Sequence, residues 1–293
     1  MSKEPSAQLE LTSETPMAVE PKKNLTPIQL FESHLQRYES SVLIDLLSEH
    51  HIKPAAFKQI VLKEIKKNPK LLEAFVANPS SMFASIFAGA EIGLIPSDML
   101  GEFYLIPRTI NNKPTVTALI GYKGLVNILL RSGDVTRIHT EIVYEGDEFQ
   151  PIYGLVPNII HVPNFNVPRT NDKITFVYSV AKLKNGEFQF VVLSKSDIKA
   201  IQLMSKYTND LYFNDKKDPM NWMIKKVAIM QLSKMLPKDY HGKQAVEMNN
   251  QLEGGAMLTL DEDNKVVIVD GKRIAATRQS TMAGINELPD IPE

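Results

Sequence analysis

Hydrophobic positions along this chain change their period several times, and each change marks an element. Leu30, Phe31, Leu35, Tyr38, Val42 and Leu46 recur at helical spacing behind Thr26-Pro27, with threonine as N-cap and proline at the first helical position. The spacing predicts one helix over that stretch. A second helix begins after Lys53-Pro54, with Phe57, Ile60, Val61 and Ile65 on one face, and ends at Asn68-Pro69. Asn78-Pro79 caps a third, 80–92, so rich in alanine and glycine that it reads as a core helix stopped by Gly93 and Pro96. Period two then takes over: 102–108 and 115–120 read as strands of a hairpin around Asn111-Asn112-Lys113.

Residues 119–135, LIGYKGLVNILLRSGDV, run from a strand end through Gly-Tyr-Lys-Gly into a short amphipathic helix, about 125–131, closed by Gly133. Glycines at 121 and 124 would let the backbone turn sharply and approach a ligand closely. Alternation returns over 135–144, with a turn at 145–147, an extended stretch at 148–153 and a loop over 154–172. Segments 174–184 and 187–193 flank Asn185-Gly186, for which a type I′ hairpin turn is expected. A helix at 196–205, a polar loop with aromatics at 206–218 and a last helix at 219–235 complete the pattern. Helices, antiparallel strands and helices again, without βαβ units, predict an α+β fold with a mainly antiparallel sheet. The expected domain spans 25–240, between a disordered tail at 1–24 and a flexible acidic tail at 241–293. Within the latter, an apolar patch at 266–269 could dock.

The formal net charge of −1 hides an asymmetry. Residues 25–240 carry 25 basic and 21 acidic groups, whereas 241–293 carry 5 basic and 9 acidic. Within 182–238 there are 11 lysines against 5 acids. A basic middle between acidic ends suits a polyanion partner, although a solvated lysine-rich face has the same composition. The absence of cysteine excludes disulfides and thiolate metal sites. No apolar run approaches the roughly 18 residues of a membrane span, and no leader pattern is visible, so a cytoplasmic protein is expected.

Catalytic patterns are missing. The six histidines show no metal-ligand spacing, and there is no phosphate-binding P-loop. Glu141, Glu145, Asp147 and Glu148 could suggest a metal-dependent nuclease, but they fall at a turn signal, where acids are common. The residues suit a strand of nucleic acid better. Tyr122 offers a ring and Lys123 a cation. On the last helix Trp222 and Lys226 are four apart, with Lys225 at the flank, opposite an expected core face of Met220, Ile224, Val227, Ala228, Gln231 and Met235. Lys182 and Lys184 share one side of their strand by alternation, and Arg137 begins another. Each feature also has a plain structural reading as a tight connection, a helix buried on two sides or a solvated sheet face.

Taken together, EIGLIPSDMLGEFYLIP, IGYKGLVNILLRSGDV, EGDEF, VYSVAKLKNGEFQFVVLSKSDI, MSK and KKVAIMQLSKMLPKD come in an order that resembles the RecT family of phage-type annealing proteins, over roughly 25–240. The resemblance implies binding of single-stranded DNA and annealing of complementary strands without ATP or any other cofactor, with divalent-cation dependence left open. It also implies rings or helical filaments that hold the annealed duplex, and as partners a phage exonuclease and the host single-strand-binding protein. The implied fold has a curved antiparallel sheet and a long helix bounding a basic groove, a form thought to be shared with lambda Red beta. Lys123, Arg131, Lys182, Lys184, Lys206, Lys225, Lys226 and Lys234 match basic family positions, whereas Met230-Gln231 stands where relatives can carry a basic pair. A single-strand protector that does not anneal, a nuclease and a purely structural assembly protein are the alternatives.

Overall fold

The computed structural model describes residues 25–205 and 208–269. Helices α1 (Pro27–Glu39), α2 (Val42–Ser48), α3 (Pro54–Lys67), α4 (Pro69–Ala77) and α5 (Pro79–Glu91) come first. Strands β1 (Phe103–Ile110) and β2 (Lys113–Ile120) lead into α6 (Tyr122–Arg131). Then follow β3 (Val135–Tyr144), β4 (Glu148–Ile152), β5 (Asn158–Val162), β6 (Ile174–Leu183) and β7 (Phe188–Ser194). Helices α7 (Lys195–Met204), α8 (Trp222–Ser233) and α9 (Tyr240–Glu253) precede β8 (Met257–Leu260) and β9 (Val266–Val269).

The start at Thr26 is as expected, a reciprocal capping box with Gln29. The single helix predicted to follow is two. Ser40 and Ser41 turn their hydroxyls back onto the carbonyls of Gln36 and Arg37, the local competition that lets serine end a helix. Helix α4 was concealed because Asn68-Pro69 reads as a stop. It is equally a start, with the Asn68 side chain accepting from the Lys70 N–H at 3.2 Å and Pro69 at the first helical position. Helix α5 is buried from Ser81 to Ala90, the small-residue core helix anticipated. Phe31, Phe75 and Phe83 close around one another with ring centroids 5.2–6.0 Å apart.

The strands are antiparallel, but among the described residues they form no single curved sheet. They make four separate units: β1–β2, β3–β6–β7, β4–β5 and β8–β9. Strand β5 lies inside the stretch expected to be a loop. The two-residue turn belongs to Asn111-Asn112, both at positive φ (51° and 59°), as a type I′ turn requires. At the second hairpin only Gly186 is positive (φ 89°), with its N–H donating to Leu183 O at 3.0 Å and the Leu183 N–H donating to Glu187 O at 2.8 Å. That is a type I turn closed by a glycine bulge, not the expected I′ turn.

Two cores result. The larger joins the N-terminal helices, β1–β2, α6, α9 and β8–β9. The smaller packs Ile142 and Val177 of the three-stranded sheet against Ile198 of α7 and Ile224, Val227 and Ala228 of α8. The hairpin β4–β5 covers the opposite face of that sheet, with Phe149 against Phe176 and Tyr178 and Tyr153 against Phe190. The expected flexible tail from 241 is, as far as Val269, part of the fold. Ala245, Leu252, Leu258 and Leu260 are buried, and Ser80 Oγ accepts from the Leu260 N–H at 2.9 Å. The patch at 266–269 docks as β9 on β8. The remaining tail expectations, at 1–24 and 270–293, lie outside the described residues.

Candidate nucleic-acid interface

Helix α6 starts three residues before the predicted 125, so Tyr122 and Lys123 form its first turn and Gly121 its N-cap. Gly133 closes it at φ 76°, as expected. Gly121 and Gly124 serve close approach of the chain to itself. A Cβ at Gly121 would lie 2.3 Å from the Gly101 carbonyl oxygen, and one at Gly124 would lie 2.2 Å from that of Glu102. The glycines therefore hold α6 against the loop before β1.

That contact sets Tyr122 beside α8. Its ring centroid lies 5.0 Å from that of Trp222, tilted by 54°. Burial raises the Tyr122 phenol above its ordinary pKa, opposed by a hydrogen bond with Thr140 and helped by the nearby Glu141. Trp222 is fixed by the start of its own helix. Asp218 accepts the Met223 N–H at 2.8 Å, and buried Asn221, at φ 54°, donates to Asn171 Oδ1 at 2.8 Å. Lys225 Nζ sits 5.4 Å from the Trp222 ring and 3.7 Å from a Glu141 carboxylate oxygen.

Tyr104, Lys123, Lys217 and the Tyr122–Trp222 pair line an open cleft of about 430 Å³. Lys225 is also in the wall of a second cleft, about 530 Å³, with His139, Tyr178 and Arg169. Trp222 lines the first and Lys225 the second, one turn apart on α8 and in contact with each other. Asp98 and Asp218 line the first and Glu141 the second, so these clefts are mixed in charge, and neither is by itself the basic groove expected. A planar ring could stack on the aromatic pair, and an anion beside it would meet Lys123 or Lys225.

Lys226 also lies in the wall of the first cleft but is committed to an ion pair within the fold, and the other expected basic residues that are described lie outside both linings. Lys226 is 3 % exposed, and its ammonium donates to Glu253 Oε1 at 2.8 Å. Burial alone would raise the Glu253 carboxyl. Lys226 and the hydroxyls of Thr208 and Ser205 overcome that and hold its pKa below the usual value. The face assignment of α8 is partly reversed, since Met220 and Met235 are exposed while Ile229 and Ser233 are buried. Apolar residues are spread almost evenly round α8, which is enclosed on nearly every side, so helical spacing alone does not single out a core face. Arg131 caps the end of α5, donating to the carbonyls of Ile92 and Gly93.

Arg137 and Lys182 are direct cross-strand partners at one end of the three-stranded sheet, with Lys182 Nζ 5.9 Å from the Phe188 ring. Lys184 lies just past β6 in the turn, so strand alternation does not place it beside Lys182. Lys234 is exposed and donates to Gln231 Oε1 at 2.8 Å. Lys206 lies outside the described residues.

Asp147 is a structural centre that the motif EGDEF did not reveal as one. Its carboxylate is fully buried and accepts from Tyr144 N (2.9 Å), Asn164 N (2.8 Å), Arg169 Nη1 (2.8 Å) and His161 Nε2 (3.1 Å). Burial alone would raise its pKa. The four donors outweigh that and hold it far below the usual carboxylate range. Glu145 instead pairs with Lys173 at 2.7 Å. The four acids weighed as a nuclease cluster do not converge, and among the described residues no three His, Asp or Glu side chains are grouped to hold a metal ion. No single described helix is long and apolar enough to cross a membrane.

A family model described as "RecT family" matches residues 55–268. The chain is 32 % identical to "Protein RecT" of Escherichia coli (strain K12) over 224 residues, covering 74 % of this chain and 78 % of that one. The match extends beyond 240 through α9 and β8 into β9, the segments that complete the larger core, and this chain belongs to the RecT family.

Proposed function

We propose that this chain binds single-stranded DNA and anneals complementary strands in phage-type recombination, without ATP, as an assembly of several copies. Family membership supports the class of activity. The observation that carries the site is the Tyr122–Trp222 pair, with Lys123 in the wall of the same cleft and Lys225 beside the Trp222 ring in the wall of another. Aromatic faces accept any base, and lysines hold phosphates without reading sequence, as an annealing protein requires. Base edges left free then pair with an incoming strand. No covalent step is needed, so the reading is of a binding protein rather than a catalyst.

Arg137 and Lys182 suit a second row of phosphate contacts reached by a strand passing over the sheet, with continuity supplied by neighbouring protomers. With about five phosphate contacts per protomer, log affinity would fall against log salt with a slope near −3.5. The partners proposed with this reading are a phage exonuclease and the host single-strand-binding protein, in a bacterial cytoplasm. The test is to add two complementary oligonucleotides in sequence without ATP, following pairing and the protein retained on the product. Accelerated pairing with a slowly dissociating protein–duplex complex is expected. Binding without acceleration means a protector, and shortened strands mean a nuclease.

A further inference from the structure

Hairpin β4–β5 ends in an exposed apolar tip, while further down its outer face Gln150 and Glu148 stand opposite Ile160 and Val162. Its inner face lies on the three-stranded sheet through Phe149 and Tyr153. Its outer face and tip carry Ile152, Leu155, Val156, Ile160 and Val162, all exposed, with Leu155 at 103 % and Val156 at 84 %. The tip, 151–158, contains no charged residue. Two-stranded hairpins are marginal in water, and a contiguous exposed apolar patch of this kind marks an interaction surface. With Tyr153 included, the exposed tip residues Ile152, Leu155 and Val156 amount to on the order of 600 Å², approaching the roughly 800 Å² that each partner contributes to a standard interface.

A second unpartnered apolar surface is concave. It is an open groove of about 330 Å³ between α7, α8 and α9, lined by Ile201, Met204, Met223, Val227 and Met230. Met204 stands at its edge, 71 % exposed. The charged groups in its wall, Lys226 and Glu253, neutralise each other. Methionines suit such a groove because they adapt to whatever fills it.

The knob and the hole lie on opposite faces of one sheet. Phe176 and Tyr178 face the hairpin, whereas Val177 between them faces the core formed with α7 and α8. A protrusion and a recess on opposite sides produce a head-to-tail contact, which propagates as an open filament or closes only as a ring. We infer that the β4–β5 tip of one copy, led by Leu155 and Val156, seats in the α7–α8–α9 groove of the next copy. The inference deepens the assembly part of the function proposed above by naming its interface.

The test is made on the full chain without DNA, so the annealing assay and this one can fail separately. Sedimentation of wild type should give concentration-dependent particles larger than one chain. Leu155→Asp with Val156→Asp, and separately Met204→Asp, should each reduce them to single chains while leaving the thermal midpoint unchanged, since these side chains are exposed. Because the chain has no cysteine, oxidation reports the contact directly. Leu155→Cys chains mixed with Met204→Cys chains should cross-link to each other, and neither should do so alone. A monomeric wild type, Asp variants that keep the wild-type mass, or Leu155→Cys chains that cross-link only among themselves would each overturn the inference.

Discussion

Replacing Lys226 by alanine separates a structural lysine from a DNA-contacting one. The change leaves Glu253 in a largely enclosed site, with a side chain 21 % exposed, retaining only the Ser205 and Thr208 hydroxyls as donors. Removing one member of a buried ion pair typically costs about 3–5 kcal/mol, because the remaining charge stays desolvated and uncompensated. For a domain of this size about 1 kcal/mol moves the midpoint by roughly 2–4 °C, so a fall of about 6–20 °C is expected. Replacing both partners by apolar residues, Lys226→Met with Glu253→Leu, should recover most of that loss, less the cost of two hydroxyls without their acceptor. The assay is thermal unfolding by circular dichroism, paired with titration of a labelled single-stranded oligonucleotide at several salt concentrations. At a temperature where the variant is folded, affinity and salt slope should match wild type. A variant with an unchanged midpoint and a salt slope shallower by about 0.7 would refute the reasoning and return Lys226 to the phosphate contacts.

Two further outcomes follow from the same structure. Asp147→Asn keeps one acceptor oxygen but sets an amide N–H against a donor, and should lower stability at pH 7 by about 3–5 kcal/mol. The folded Asp147 pKa is depressed, so its contribution is complete above its unfolded value of about 3.9 and is lost as pH falls below it. Thermal midpoints of wild type and variant should therefore converge below about pH 4 and stay apart at pH 5–8; a constant gap would contradict the assignment. Gly124→Ala should destabilise by about 1–3 kcal/mol despite alanine's better helix propensity, because its Cβ would lie 2.2 Å from the Glu102 carbonyl oxygen. A raised unfolding midpoint would contradict that.

Legibility in the sequence tracked how local the causes were. The capping box at Thr26, the buried small-residue helix and the strands at 174 and 188 rest on neighbours within a few residues, and their patterns are plain. The break at Ser40-Ser41 and the start of α4 were hidden because serine and Asn-Pro each admit two local readings. Helix α9 reads as a tail because its polar residues outnumber the apolar ones that reach the core from a distant part of the chain, and β8 is only four residues long. Tyr122, Trp222, Lys123 and Lys225 were named from residue chemistry, yet only the packing of α6 on α8 brings them together. Lys226, expected on the same grounds, and Arg131, expected from the family resemblance, are held by Glu253 and by the end of α5. Nothing in a spacing of four residues shows whether a lysine is buried against a carboxylate.

Trp222 is the single tryptophan of the chain, so its fluorescence reports on the proposed site without further labelling. Titrating wild type with a single-stranded oligonucleotide at low salt should quench and shift its emission to saturation, with the same midpoint as binding measured by anisotropy. Added salt should reverse both together. Binding and annealing that leave Trp222 emission unchanged would place the strand elsewhere on the molecule and contradict the account.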